Sequence, residues 1–139
     1  MADKIRSVMT ADLATVPVEA SVVEAAQLMR QFDCGDVIVT DNGSVIGIAT
    51  DRDLIVRCVA DGKDPANVRV GDVCTKEPVT LRPADSITAA VRLMSEKAIR
   101  RLPVVEDSKA VGIVSLGDLA QARDQKSALG KISAAPPNQ

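Results

Sequence analysis

Apolar positions change their period along this chain in an order that occurs twice. Between Val22 and Phe32 they recur at helical spacing, with Val22, Ala25, Ala26, Leu28 and Met29 on one face while Glu24, Gln27, Arg30 and Gln31 point elsewhere. Ser21-Val22-Val23-Glu24 stands at the start of that face as a capping box, in which the Ser oxygen and the Glu carboxylate each satisfy a free amide of the first turn. The spacing predicts a helix of about three turns ending at Phe32. Two short apolar runs follow, Val37-Ile38-Val39-Thr40 and Val45-Ile46-Gly47-Ile48-Ala49, separated by Asp41-Asn42-Gly43-Ser44; they predict a hairpin whose turn contains Asn-Gly. Thr50-Asp51-Arg52-Asp53 then opens a second helix, predicted to run to about Ala60 and to end at Asp61-Gly62.

The plan then repeats. Residues 5–54 lie over residues 70–119 at a constant offset of 65 without a gap. Asp85-Ser86 starts a helix through Lys97, residues 102–105 and 110–114 make the strands, and Ser115 begins a last helix that Gly130 stops. The predicted organisation is a first repeat with its linker over residues 1–66, a second repeat over 67–129, and a disordered tail over 130–139, which carries Pro136-Pro137 and few apolar groups. Each repeat is an extended segment, a helix, a hairpin and a helix. A unit that small leaves one sheet face poorly covered, so the two copies are expected to pack on each other about a pseudo-two-fold axis. The fold class is α+β, two βαββα-type repeats.

Both copies close on one phrase: Gly47-Ile48-Ala49-Thr50-Asp51-Arg52-Asp53-Leu54 matches Gly112-Ile113-Val114-Ser115-Leu116-Gly117-Asp118-Leu119. A hydroxyl followed three residues later by an acid is a helix-capping pattern, which by itself explains both. A helix N-terminus also presents unpaired amides and a positive dipole end to an anionic oxygen. A carboxylate one turn later can accept from vicinal hydroxyls, as the acid of a dinucleotide fold does from ribose. Thr50 with Asp53 and Ser115 with Asp118 are therefore candidate phosphate and sugar contacts as well as caps.

Composition narrows the chemistry. Phe32 is the only aromatic residue, so the core must be aliphatic, and a bound ring would lie between aliphatic side chains. Seventeen basic and nineteen acidic residues give a net charge of -2, and no run of Lys or Arg is long enough to track a phosphate backbone, so nucleic acid is not the expected principal partner. No signal-like start and no apolar run of membrane-spanning length occur; a cytoplasmic protein with no membrane partner is expected. Cys34, Cys58 and Cys74 are odd in number and widely spaced, and there is no His, which argues against a disulfide framework and a zinc site. Without His no Ser-His-Asp or Cys-His nucleophile is possible, no paired carboxylates have acid–base spacing, and Gly62-Lys63 lacks the upstream Gly of a P-loop, so no enzyme is expected. Met29 and Met94 are equivalent and read as core filler.

Val8-Met9-Thr10 near the start, Arg100-Arg101-Leu102-Pro103-Val104-Val105 before the second hairpin, and the Gly-h-x-Thr/Ser-x-x-Asp phrase after each hairpin together resemble a tandem pair of CBS domains, a Bateman module, over almost the whole chain. The resemblance implies a regulatory module that holds an adenosine compound (AMP, ADP, ATP, NAD or S-adenosylmethionine) between its repeats and signals to a partner protein, with no obligatory cofactor. It implies Asp53 and Asp118 on ribose hydroxyls, Thr50 and Ser115 near phosphate, and adenine against Ala14 and Cys34 in one cleft and Val79 and Ile99 in the other. The family's crossed arrangement would combine Ala14, Cys34, Ser115 and Asp118, and Val79, Ile99, Thr50 and Asp53. Arg100 and Arg101 match its basic pair, but their first-repeat equivalents are Gly35 and Asp36, and Arg52 corresponds to Gly117, so the clefts are expected to differ at the phosphate end. It also implies a homodimer, built on exposed helix faces. The rival reading is a CBS-fold interaction or stress-response scaffold that binds no nucleotide.

Overall fold

The computed structural model describes residues 4–123. The expected helix stop at Gly130 and the tail over 130–139 lie outside the described residues. The element order is β1 (Thr15–Pro17), α1 (Val22–Phe32), β2 (Asp36–Asp41), β3 (Ser44–Thr50), α2 (Asp51–Leu54), β4 (Thr75–Lys76), α3 (Ile87–Lys97), β5 (Arg101–Glu106), β6 (Lys109–Ser115) and α4 (Leu116–Arg123). Past Leu54 the helix of α2 continues as a wider π turn over Ile55–Val59, in which Ala60 N–H donates to Ile55 O at 2.8 Å.

Two compact units result, and they are not the two sequence repeats. Among the described residues, one takes 12–79 and 107–110; the other takes 4–11, 80–106 and 111–123. In the first unit, β1 runs parallel to β2, β2 antiparallel to β3, and β3 antiparallel to β4 through Gly47↔Lys76 and Ile48↔Thr75. Strand β4 lies near the start of the second repeat in sequence, so the leading segment of repeat two completes the sheet of repeat one. The second unit reciprocates: Thr10, from the leading segment of repeat one, forms an antiparallel bridge with Ile113 of β6. The same exchange recurs one rung further on, where Val70 N–H donates to Ala20 O (2.7 Å) and Gly71 N–H to Val18 O (3.1 Å), while Ile5 N–H donates to Asp85 O (2.9 Å) and Arg6 N–H to Pro83 O (3.0 Å).

Glycine in the repeated phrase is explained by this exchange. A Cβ on Gly47 would lie 2.7 Å from Cys74 Sγ and 2.8 Å from Thr75 O, and one on Gly112 would lie 2.5 Å from Met9 Sδ. Only a residue without a side chain lets the incoming segment sit that close.

The helices form for the reasons their sequences suggest. Ser21 Oγ accepts from Glu24 N–H at 3.1 Å and the Glu24 carboxylate accepts back from Ser21 N–H at 3.4 Å, closing the capping box, and Ser86 caps α3 by accepting from Ala89 N–H at 3.1 Å. Val22, Ala25 and Met29 of α1 join Val37, Val39, Ala49, Leu54, Cys58, Val70 and Val73 in an aliphatic core. Ala26, assigned to the inward face by its spacing, is instead exposed, because the buried stripe is narrow, of i, i+3, i+7 type. In the other unit Ile87, Ala90 and Met94 of α3 are buried, as are Leu102, Val104, Val114 and Leu119.

The two hairpins turn differently. Asn42 (φ 52°) and Gly43 (φ 84°) take the left-handed conformations of a two-residue turn that suits paired strands. Their equivalents Asp107 (φ 53°) and Ser108 (φ 70°) adopt the same shape with two side-chain-bearing residues. A second local difference lies at Pro103, which occupies the place of Ile38. Ile38 N–H donates to Ala14 O at 2.9 Å; Pro103 has no N–H, and the ladder there is a single parallel bridge, Leu81↔Val104.

Candidate functional site

Each repeat ends its hairpin by turning a strand straight into a helix, and the turn is made by the hydroxyl–acid pair. Thr50 Oγ1 accepts from Asp53 N–H at 3.1 Å, and Asp53 Oδ2 accepts from Thr50 N–H at 2.9 Å. In the other unit Ser115 Oγ accepts from Asp118 N–H at 3.0 Å, and Asp118 Oδ2 accepts from Ser115 N–H at 2.9 Å. The capping reading of both phrases is therefore a geometric fact. It consumes one oxygen of each carboxylate, and Oδ1 stays outside the cap. All four residues are half-buried.

The residue after each hydroxyl is anchored identically. Asp51 N–H donates to Gly35 O at 2.9 Å and Leu116 N–H to Arg100 O at 2.8 Å, so the segment in front of β2 or β5 lies beside its own corner. Cys34 and Ile99, both half-buried, hold equivalent places: their amides donate at 3.0 Å to Met29 O and Met94 O, closing α1 and α3. Cys34 Sγ donates to Asp36 O at 3.1 Å. Within the first unit the structure thus brings Thr50, Asp53 and Cys34 to one end of the sheet, and within the second Ser115, Asp118, Ile99 and Arg100.

The other predicted residues are placed as follows. Ala14 is buried, its side chain in the aliphatic core and its carbonyl engaged by Ile38 N–H. Val79 is half-buried just after β4, and Arg100 and Arg101 are exposed. Arg52 is exposed in the first turn of α2, where its amide donates to Asp51 Oδ1 at 2.8 Å. Asp36, the acid standing where the basic pair has its first-repeat counterpart, is buried at the start of β2, with 6% of its surface accessible.

Arg57 was not among the predicted residues. Its Nε lies 3.8 Å from Asp53 Oδ1, and its Nη1 donates to Val73 O at 3.0 Å and Cys74 O at 3.2 Å. The i,i+4 spacing of an acid and an arginine in a predicted helix was the signal available in the sequence. Cys74, beside this group, is a buried thiol. Burial pushes its pKa above the ordinary value of 9.0 and the Asp53 carboxylate adds to that, while Lys76, its own backbone contact and Arg57 oppose it.

Among the described residues no three His, Cys, Asp or Glu side chains come together to hold a metal ion, and no helix is long and apolar enough to cross a membrane. The class is that of internally duplicated α+β proteins whose halves exchange their leading segments and whose second helices open on a hydroxyl–carboxylate cap. The family model described as the CBS domain matches this chain twice, at residues 5–59 and 70–124. The chain belongs to the CBS-domain family, and its two repeats are a CBS pair, a regulatory module of a kind that is generally not catalytic.

Relatives agree with that assignment. The CBS domain-containing protein YhcV of Bacillus subtilis is 40% identical over 116 residues, which is 84% of this chain and 82% of YhcV. Hypoxic Response Protein I, solved with two coordinated zinc ions, is 30% identical with a TM-score of 0.79, covering 86% of this chain and 98% of that one; its sequence relative in Mycobacterium tuberculosis is 32% identical over 117 residues, 84% of this chain and 82% of that protein. A CBS domain pair solved with 5′-methylthioadenosine and S-adenosylmethionine superimposes with a TM-score of 0.80 at 22% identity, covering 91% of this chain and all of that one, and so shares the fold.

Proposed function

We propose that this protein is a regulatory sensor of adenosine-containing compounds, of the chemical class of AMP, ATP, NAD or S-adenosylmethionine, and that occupancy is passed to a partner protein. The observation that carries the reading is the pair of matched corners. Each presents a carboxylate oriented by its own cap, with Oδ1 outside the cap where it can accept from a ribose diol. Each also stands at a helix mouth suited to an anionic oxygen. Aliphatic Ala14, Cys34, Val79 and Ile99 suit the faces of a base. Arg100, Arg101 and Arg52 are exposed, and their guanidinium groups are of the kind that suits a phosphate. The CBS pair solved with S-adenosylmethionine and 5′-methylthioadenosine supports the ligand class.

A homodimer belongs to the same proposal. An open groove of about 670 Å³ runs between α1 and the helix of α2, lined by Val23, Ala26, Ile55 and Val59, with Arg30 and Asp51 also on its wall. Ile55 and Val59 are 57% and 51% exposed, an apolar stripe that a second copy would cover, and the opposite charges of Arg30 and Asp51 permit a self-complementary contact.

Calorimetry with AMP, ATP, NAD and S-adenosylmethionine, on wild type, Asp53→Ala and Asp118→Ala, tests the reading. At least one compound is expected to bind wild type, with affinity lost at one corner in each variant. If wild type binds none, and each variant only loses about a cap's ~1 kcal/mol of stability, the protein is a scaffold and its corners are caps alone.

A further inference from the structure

The two corners have the same cap but different surroundings. Residue 57 in the first unit is an arginine; the residue 65 positions on is Ala122, whose methyl group donates nothing. Arg57 reaches in two directions at once. Nε faces Asp53 Oδ1 at 3.8 Å, and Nη1 donates to the carbonyls of Val73 and Cys74 at 3.0 and 3.2 Å. These carbonyls immediately precede β4, and β4 pairs back onto β3, the strand that leads into Thr50 and Asp53. Corner, arginine and exchanged strand thus form a closed ring of contacts. In the second unit the exchanged segment is held at this edge by the single bridge Thr10↔Ile113.

We propose that Arg57 is a positioning residue of the Asp53 corner, the side chain through which occupancy of that corner is felt by the exchanged segment over residues 73–77. The inference rests on the function proposed above. A diol donating to Asp53 Oδ1 uses the oxygen that Arg57 faces. Because the guanidinium is a rigid planar fork, Nε cannot shift without carrying Nη1, and with it the hold on two carbonyls. The π turn of Ile55–Val59 has Arg57 at its centre and widens the helix where this reach begins, as such turns often do at functional positions. Coupling is reciprocal, so removing the arginine must alter the ligand's effect on the segment and the segment's effect on the ligand. The Asp118 corner, lacking the arginine, binds without this response.

Hydrogen exchange on the full chain tests it, with and without millimolar AMP, ATP or S-adenosylmethionine, in wild type, Arg57→Ala and Arg57→Lys. Arg57 lies at the surface, with 49% of its side chain exposed, so both variants are expected to fold, which circular dichroism checks. In the free protein, exchange over residues 70–79 is expected to accelerate several-fold in Arg57→Ala and less in Arg57→Lys, with residues 5–10 unchanged. A compound that protects residues 50–53 in wild type is expected to change exchange over 70–79 as well, and to lose that second effect in Arg57→Ala. Unchanged exchange over 70–79 in free Arg57→Ala overturns the inference. So does protection of the corner in wild type with a silent 70–79 segment, which leaves the sensor reading standing. If no compound protects either corner, the sensor reading and the coupling built on it both fall.

Discussion

Substituting the glycine of each repeated phrase separates the two edges of the exchange. An Ala Cβ at Gly47 would stand 2.7 Å from Cys74 Sγ and 2.8 Å from the carbonyl oxygen of Thr75. The sulfur sits on a short side chain in the packed core, and the carbonyl belongs to the Ile48↔Thr75 pairing, so relief requires β4 to move off β3. Overpacking of this kind costs about 1–3 kcal/mol, and losing a ladder hydrogen bond adds about 1 kcal/mol. Against this stands about 0.5–1 kcal/mol from the smaller conformational freedom of Ala in the unfolded chain. The net expectation for Gly47→Ala is a loss of about 2 kcal/mol, a fall in Tm of roughly 6–10 °C for a domain of this size. At Gly112 the obstacle is the side chain of Met9, with Sδ at 2.5 Å and Cγ at 2.8 Å. That side chain is flexible and half-buried, so Gly112→Ala should cost about 1 kcal/mol or less. The chain has no Trp or Tyr, so urea unfolding followed by far-ultraviolet circular dichroism is the assay. Equal stability of Gly47→Ala and wild type, or a larger loss in Gly112→Ala, would refute the packing argument for β4.

Further outcomes are expected elsewhere. Ser108→Gly should stabilise by about 1 kcal/mol, read as a higher urea midpoint, because Ser108 now holds a φ of 70° that glycine adopts without strain. Asp118→Ala should lose about 1 kcal/mol, and Asp118→Asn only part of that, since the amide oxygen still accepts from Ser115 N–H; paired melts distinguish the two. The raised pKa of Cys74 means the folded protein holds this thiol proton more tightly than the unfolded chain. Its contribution is complete below the ordinary thiol pKa, and stability should fall as pH rises past about 9. Urea midpoints at pH 8 and 10 should drop less in Cys74→Ala than in wild type.

Much of the fold was legible because the signals were local. The capping box at Ser21, the helical spacing to Phe32 and the Asn-Gly turn placed α1 and the first hairpin within a residue or two of their observed bounds. The duplicate at offset 65 then carried the plan over to α3, β5 and β6. What was not legible depended on contacts between distant residues. Strand β4 is two exposed residues with no alternation to betray it, and only pairing with Gly47 and Ile48 makes it a strand. The π turn was hidden because Leu54 and Cys58, the buried pair, keep ordinary i,i+4 spacing through it. Of the corners, the hydroxyl–acid pairing was readable from three-residue spacing alone. The reach of Arg57 to Val73 and Cys74 was not, since it spans 16 and 17 positions.

The traded leading segments have a consequence for what half of this gene could encode. A polypeptide carrying one repeat would own a leader with no sheet to join and a sheet missing its last edge. Two such half-chains remedy both deficits by inserting into each other. In the present chain residues 61–69 hold the two repeats on one polypeptide, so each leader meets the other repeat's sheet edge at high effective concentration.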